Sequence, residues 1–133
     1  MSDSMMKRNY LLLAQLFDDV RQLPGRARSA AIGGLELRFE LLLAAENGAL
    51  VSLAQSSNAG GAAEPEMELE LRFDLETVEA LSYQDGQGIR RVYPNPGQLD
   101  PREYARQNEF LNLWLTDCQA LRHSFRSASK AAA

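Results

Sequence analysis

A chain of 133 residues that is 45% hydrophobic and 24% charged has the composition of one globular domain, large enough to bury a core without a disulfide or metal staple. Its most apolar runs, Tyr10 to Leu16 and Leu41 to Ala45, are far shorter than the roughly 20 residues that cross a bilayer. Met1 to Met6 lacks a cationic stretch leading into an apolar signal core, so a cytoplasmic protein away from the membrane is expected. One cysteine, Cys118, excludes an internal disulfide and a multi-cysteine zinc site, and one histidine, His123, removes most metal and triad chemistry.

Met5 to about Gln22 reads as an amphipathic helix, because Leu13, Leu16, Phe17, Val20 and Leu23 recur at three- and four-residue steps until Pro24-Gly25. Residues 26 to 32 read as a connector. From Leu35 the period becomes two: Leu35, Leu37, Phe39, Leu41 and Leu43 point inward and Glu36, Arg38 and Glu40 outward, as in a strand with one buried face. Asn47-Gly48 supplies the positive φ angles of a tight hairpin, and Ala49 to Gln55 returns as the second strand. Residues 56 to 65 lack any bulky apolar side chain and are expected to form a mobile loop.

A third strand carries Met67, Leu69, Leu71 and Phe73 inward against Glu66, Glu68, Glu70 and Arg72 outward. Thr77 to Tyr83 and Gly88 to Tyr93 follow as the fourth and fifth strands, around the turn-forming Gln84 to Gln87. Asp100 caps a last helix that begins at Pro101 and runs to about Arg126, with Glu103 placed to complete a reciprocal capping box. Its apolar stripe is Leu111, Trp114, Leu115, Cys118, Leu121 and Phe125, and residues 127 to 133 are expected to fray. Connections this short exclude parallel crossovers, which gives a single α+β domain over residues 1–133: a five-stranded antiparallel meander with both helices on one face and a wet, charged opposite face.

Charge is segregated along the chain. Ten acids face two arginines over residues 36–79, whereas basic residues exceed acids on either side. A nucleic-acid binder concentrates positive charge instead, so nucleic acid is not an expected partner. Glu66, Glu68 and Glu70 share one strand face at roughly 7 Å spacing. A regular exposed strand gives neither the unlike environments of an acid catalyst nor the closing turn of a calcium loop. Two readings of these three stay open: a solvated face paired with Arg38 or Arg72, or a docking surface for a basic partner. Arg90, Arg91, Tyr93, Arg102 and Arg106 gather near the start of the last helix, where guanidinium groups and a helix N-terminus suit an anion.

Cys118 and His123 lie about 140° apart around one helix, so they do not form a nucleophile–base pair. Cys118 falls on the apolar stripe, and His123 reads as a flank residue near a helix C-terminus, where a cation is favoured. Asn108, beside the stripe, is expected to fasten the irregular Tyr93 to Pro96 segment to the helix. The glycines fit no phosphate-cradling loop.

Tyr93-Pro94-Asn95, Glu103, and then Asn108-x-Phe110-Leu111-x-x-Trp114-Leu115-x-x-Cys118 resemble the C-terminal signature of the YqiB-like family of small bacterial proteins, a domain of unknown function. The chain departs from that signature around Glu103, where Arg102, Tyr104 and Arg106 stand in a stretch that in the family tends to show acids and lysine followed by glutamine. The resemblance implies proximity to nucleotide or second-messenger metabolism, since genes of that family neighbour those of a nucleotide-sugar or ADP-ribose hydrolase and a cyclic-AMP phosphodiesterase.

No catalytic set converges, and no cofactor or metal site is signalled. The first expectation is therefore a non-catalytic protein-binding or adaptor protein, which presents its charged sheet face or a groove between helix and sheet. The alternative is a sensor that binds an anionic nucleotide at Arg90, Arg91, Tyr93, Arg102 and Arg106. A third reading is a secretion-type chaperone that captures an unfolded segment. The sequence carries no signal for an oligomeric state.

Overall fold

The computed structural model describes residues 3–30, 35–57 and 64–126. The elements run α1 (Asp3–Ala14), β1 (Arg26–Ala30), β2 (Leu35–Ala45), β3 (Gly48–Ser57), β4 (Glu66–Arg72), β5 (Thr77–Asp85), β6 (Gly88–Arg91) and α2 (Pro101–Ala120). The strands pair in chain order, β1-β2-β3-β4-β5-β6, and every pairing is antiparallel. This is the expected α+β meander with six strands rather than five.

The extra strand is β1, which lies within the stretch read as a connector. Its burial alternates with period two, but the inward residues are Ala27 and Ser29, too small to register as a hydrophobic pattern. Residues 31 and 32, the rest of that connector, lie outside the described residues, as do 58–63 of the expected loop and the expected frayed tail 127–133. The strand read before that loop extends to Ser57.

Both helices are shorter than their periodicity suggests. α1 stops at Ala14, after which Leu16 and Phe17 donate to carbonyls only three residues back, at 3.0 and 3.1 Å. This tightening keeps Leu13, Leu16, Phe17 and Val20 buried. It also sets the Phe17 ring against Phe39 and Phe125, with centroids 4.9 and 5.2 Å away. α2 ends at Ala120 because Arg122 enters the left-handed region (φ 60°). Arg122 N–H then donates to Gln119 O and His123 N–H to Cys118 O, the paired closure that satisfies the last carbonyls of a helix. Phe125 is buried by this reversal, whereas Leu121 is left exposed.

The core lies between the helices and one sheet face. Leu37, Phe39, Val51, Leu53, Met67, Leu69, Leu71 and Val78 meet Tyr10, Leu13, Leu111, Trp114, Leu115 and Cys118, each almost fully buried. At about 1.5–3 kcal/mol for each large apolar side chain, this contact is the main stabilising contribution.

The β2–β3 hairpin differs in detail from the expectation. Its two turn residues are Glu46 and Asn47, with Ala45 paired to Gly48, and neither Asn47 nor Gly48 has a positive φ. Gly48 is required for another reason: a Cβ there would collide with the carbonyl oxygen of Leu71 on β4. A bulge at Leu42 then shifts the register, so that Leu41 faces Val51 but Leu43 faces Leu50. Leu43, expected inward, is turned outward and is 59% exposed.

Candidate functional site

The sheet face away from the helices carries the residues of interest. Its composition follows from the register, which assembles rows of side chains across the strands. One row runs Arg28–Arg38–Ala54–Glu66–Gln84, the next Arg26–Glu40–Ser52–Glu68–Ser82–Arg91, and a third Leu43–Leu50–Glu70–Glu79. The face therefore has a cationic side on β1 and β2, an acidic side on β4 and β5, and an apolar ledge at the hairpin end. β3 contributes the small residues Ser52 and Ala54 between the two charged sides, and long flanking side chains leave both almost fully buried.

Some neighbours on this face are mismatched in charge. Arg26 and Glu40 form an ion pair at 3.8 Å, but Arg28 stands directly opposite Arg38 and Glu70 directly opposite Glu79. Like charges in direct cross-strand register are destabilising. The Glu79 carboxyl is pushed above its ordinary range, first by burial and further by Glu70, while the Tyr93 hydroxyl donates to it at 3.1 Å and opposes the rise. Glu66, Glu68 and Glu70 do share this face as the sequence suggested. Among the described residues, however, none of them pairs with Arg38 or Arg72. Ser52 Oγ donates to Glu66 at 3.4 Å, and Arg72 turns to Asp74 at 3.2 Å.

Two hollows open on the face. One, of about 260 Å3, is lined by Arg26, Arg28, Arg38, Glu40, Ser52 and Glu66. The other, of about 320 Å3, lies beside the ledge and is lined by Leu43, Ala45, Leu50, Glu70 and Arg72. A third groove of about 530 Å3 separates α2 from the sheet. Leu35, Gln55, Phe110, Leu113 and Trp114 line it, and Trp114 Nε1 donates to Gln55 Oε1 at 2.9 Å.

Of the residues of the suggested anion site, Arg90 and Arg106 meet at Glu103, whereas Tyr93 and Arg91 are directed elsewhere. Arg90 lies over the Tyr83 ring and pairs with Glu103 at 3.5 Å, and Arg106 pairs with the other oxygen of Glu103 at 3.3 Å. Tyr93 points to Glu79, and Arg91 neighbours Ser82 on the opposite face of the sheet from α2. The Asp100 carboxylate takes the backbone N–H groups of Arg102 and Glu103, so the helix N-terminus already holds an anion. The capping box is one-sided, because Asp100 N–H donates to Val92 O rather than to Glu103.

Asn108 also takes a different part from the one expected. Its Oδ1 accepts from Ala80 N–H at 3.0 Å, next to a register shift between β4 and β5, and its Nδ2 donates to Tyr104 O at 2.8 Å. Gln107, one position earlier, ties the helix to Arg90 O at 3.0 Å. Asn9 and Asn112 extend this network across to α1.

His123 is buried rather than a solvated cation at the helix end, and burial holds its pKa below the ordinary value. The Cys118 thiol is pushed up to about 12, chiefly by burial and then by Asp117, which makes it an inert core group. Among the described residues no three His, Cys, Asp or Glu side chains gather as a metal site, and no helix is long and apolar enough to cross a membrane.

Sequence reading missed Glu79, Leu42, Leu43 and Leu50 as parts of this face. Residue type alone could have flagged Glu79. The two bulges that bring it beside Glu70, and turn Leu43 outward, leave no sequence signal. Among known proteins, a family model described as a protein of unknown function (DUF1249) matches residues 12–124. No curated protein matches the chain. No solved structure matches it either.

Proposed function

We propose that this chain, which belongs to the DUF1249 family of proteins of unknown function, is a non-catalytic binding or adaptor protein that docks a basic segment of another protein on its open sheet face. One observation carries this reading: Glu70 and Glu79 face each other in register, neither in an ion pair among the described residues, beside Glu68 and Glu66. A partner's lysines or arginines would relieve that repulsion, and such charge pairing favours fast, salt-sensitive association.

The cytoplasm is the compartment proposed for this activity. The YqiB-like signature from Tyr93 to Cys118 belongs to the same reading, as a fold-specifying element of a bacterial protein. Its Asn108, Leu111, Trp114 and Leu115 are all core or core-fastening residues. The anionic-nucleotide alternative receives less support, because Arg90 and Arg106 are both already paired with Glu103 and Asp100 occupies the helix N-terminus.

The test is native capture by wild-type protein and by a triple variant, Glu66→Lys, Glu68→Lys and Glu70→Lys, each at low and high salt. A protein retained by the wild type at low salt and lost in the variant supports the reading. Capture that survives charge reversal overturns it.

A further inference from the structure

We infer that the segment docked on this face is amphipathic as well as cationic, with apolar side chains on Leu42, Leu43 and Leu50 and lysines or arginines on Glu70 and Glu79; this rests on the docking reading above. The bulge in β2 is the first ground. Inserting Leu42 turns two consecutive leucines outward, 44% and 59% exposed, where unbroken alternation would have shown the solvent only one. A single exposed leucine needs no explanation, but a ledge of adjacent leucines beside an open hollow does.

The second ground is the register. Leu43, Leu50, Glu70 and Glu79 occupy successive positions of one row across β2, β3, β4 and β5, so the apolar and acidic pairs are contiguous. With strands about 4.8 Å apart, the two pairs are centred about 10 Å from each other. This is within the reach of one short segment, for instance residues seven apart on a helix at 1.5 Å per residue. The hollow of about 320 Å3 lies at this junction, with Leu43, Ala45 and Leu50 lining it together with Glu70 and with Arg72, whose guanidinium is paired with Asp74. Apolar contact would supply affinity there, and the paired carboxylates would select against acidic segments.

Three labelled 14-residue peptides test the inference by fluorescence anisotropy: one of leucine and arginine, one of serine and arginine with the same charge, and one of leucine and glutamate. The protein is used as wild type, as Leu43→Ser, and as the pair Glu70→Lys, Glu79→Lys. Leu43 is exposed, so its variant should fold as the wild type does, which circular dichroism checks. The leucine–arginine peptide should bind the wild type at least about tenfold more tightly than the serine–arginine peptide, and Leu43→Ser should remove that difference. Equal binding of the two cationic peptides, or no effect of Leu43→Ser, overturns the amphipathic partner and leaves the acidic docking reading standing. Leucine–arginine binding that survives the double Lys variant overturns both. A wild-type dimer that Leu43→Ser dissociates would make the ledge a contact between copies of this chain and would also overturn the inference.

Discussion

Ser29 on β1 and His123, just beyond α2, are joined by a buried hydrogen bond of 2.9 Å between Oγ and Nδ1, across 94 positions of sequence. Ser29 Oγ also accepts the backbone N–H of Ser124 at 2.8 Å, so one hydroxyl ties β1 to two consecutive residues beyond α2. His123 Nε2 is buried with no hydrogen-bond partner among the described residues. Charging the imidazole would place a cation in this buried site, with the Nε2 N–H left unpaired.

Stability should consequently fall in mild acid. The folded pKa of His123 lies below the unfolded value of 6.5, so its contribution is fully present above pH 6.5 and is lost as pH falls from there toward the folded pKa. The slope is at most about 1.4 kcal/mol per pH unit for one proton. The raised carboxyl of Glu79 acts in the opposite sense, favouring the fold as it protonates, so the histidine is isolated by comparison with His123→Phe. Denaturant midpoints from pH 5 to 8 should drop toward acid in the wild type, with a shallower drop in the variant. His123 is the chain's one histidine, and parallel curves would show that it does not carry the effect.

Asn108→Ala should destabilise the protein by about 2–3 kcal/mol in urea denaturation. The variant strands the buried Ala80 N–H, frees the Tyr104 carbonyl and leaves a small void. Amide exchange at Ala80 should accelerate as well. A loss below about 0.5 kcal/mol would mean that the helix and β5 are fastened elsewhere.

Gly48→Ala should cost about 1–3 kcal/mol although its backbone angles suit any residue, because the new methyl group meets the Leu71 carbonyl. Gly88, at φ 133°, is a glycine of the other kind, and Gly88→Ala should destabilise through backbone strain with nothing near its Cβ. Comparing the melting temperature of Gly48→Ala with that of wild type tests the steric account. An unchanged value would show that β3 and β4 part without penalty.

The sequence made legible those features that depend on repeated bulky side chains. Met67, Leu69 and Leu71 place β4 and its outward glutamates, and Asp100-Pro101 places the start of α2. Illegible were elements whose pattern is written in small residues or interrupted by one residue. β1 buries only Ala27 and Ser29, and the bulge at Leu42 reverses the facing of Leu43 without any change in composition. Helix ends were overextended because Phe17 and Phe125 continue the helical spacing while the backbone has already turned. For the candidate site, Glu66, Glu68 and Glu70 were readable as one face, but their opposing partner Glu79 depends on cross-strand register, which is a tertiary property. The ion pairs within the arginine cluster were not readable, because Glu103 lies within reach of both Arg90 and Arg106 only once β6 is folded against α2.

α2 is anchored at both of the outermost strands. Near its start Gln107 holds the backbone of β6 at Arg90, and immediately past its end His123 and Ser124 hold β1 at Ser29. Twenty residues of helix measure about 30 Å, and six strands measure about 24 Å from first to last. The helix thus acts as a crossbar that ties the first strand to the last and braces the twist of the sheet. The relative orientation of the arginine side and the glutamate side on the far face is therefore braced by a helix that touches none of those charges. Shortening that crossbar by one turn would deform the charged face without altering a single residue on it.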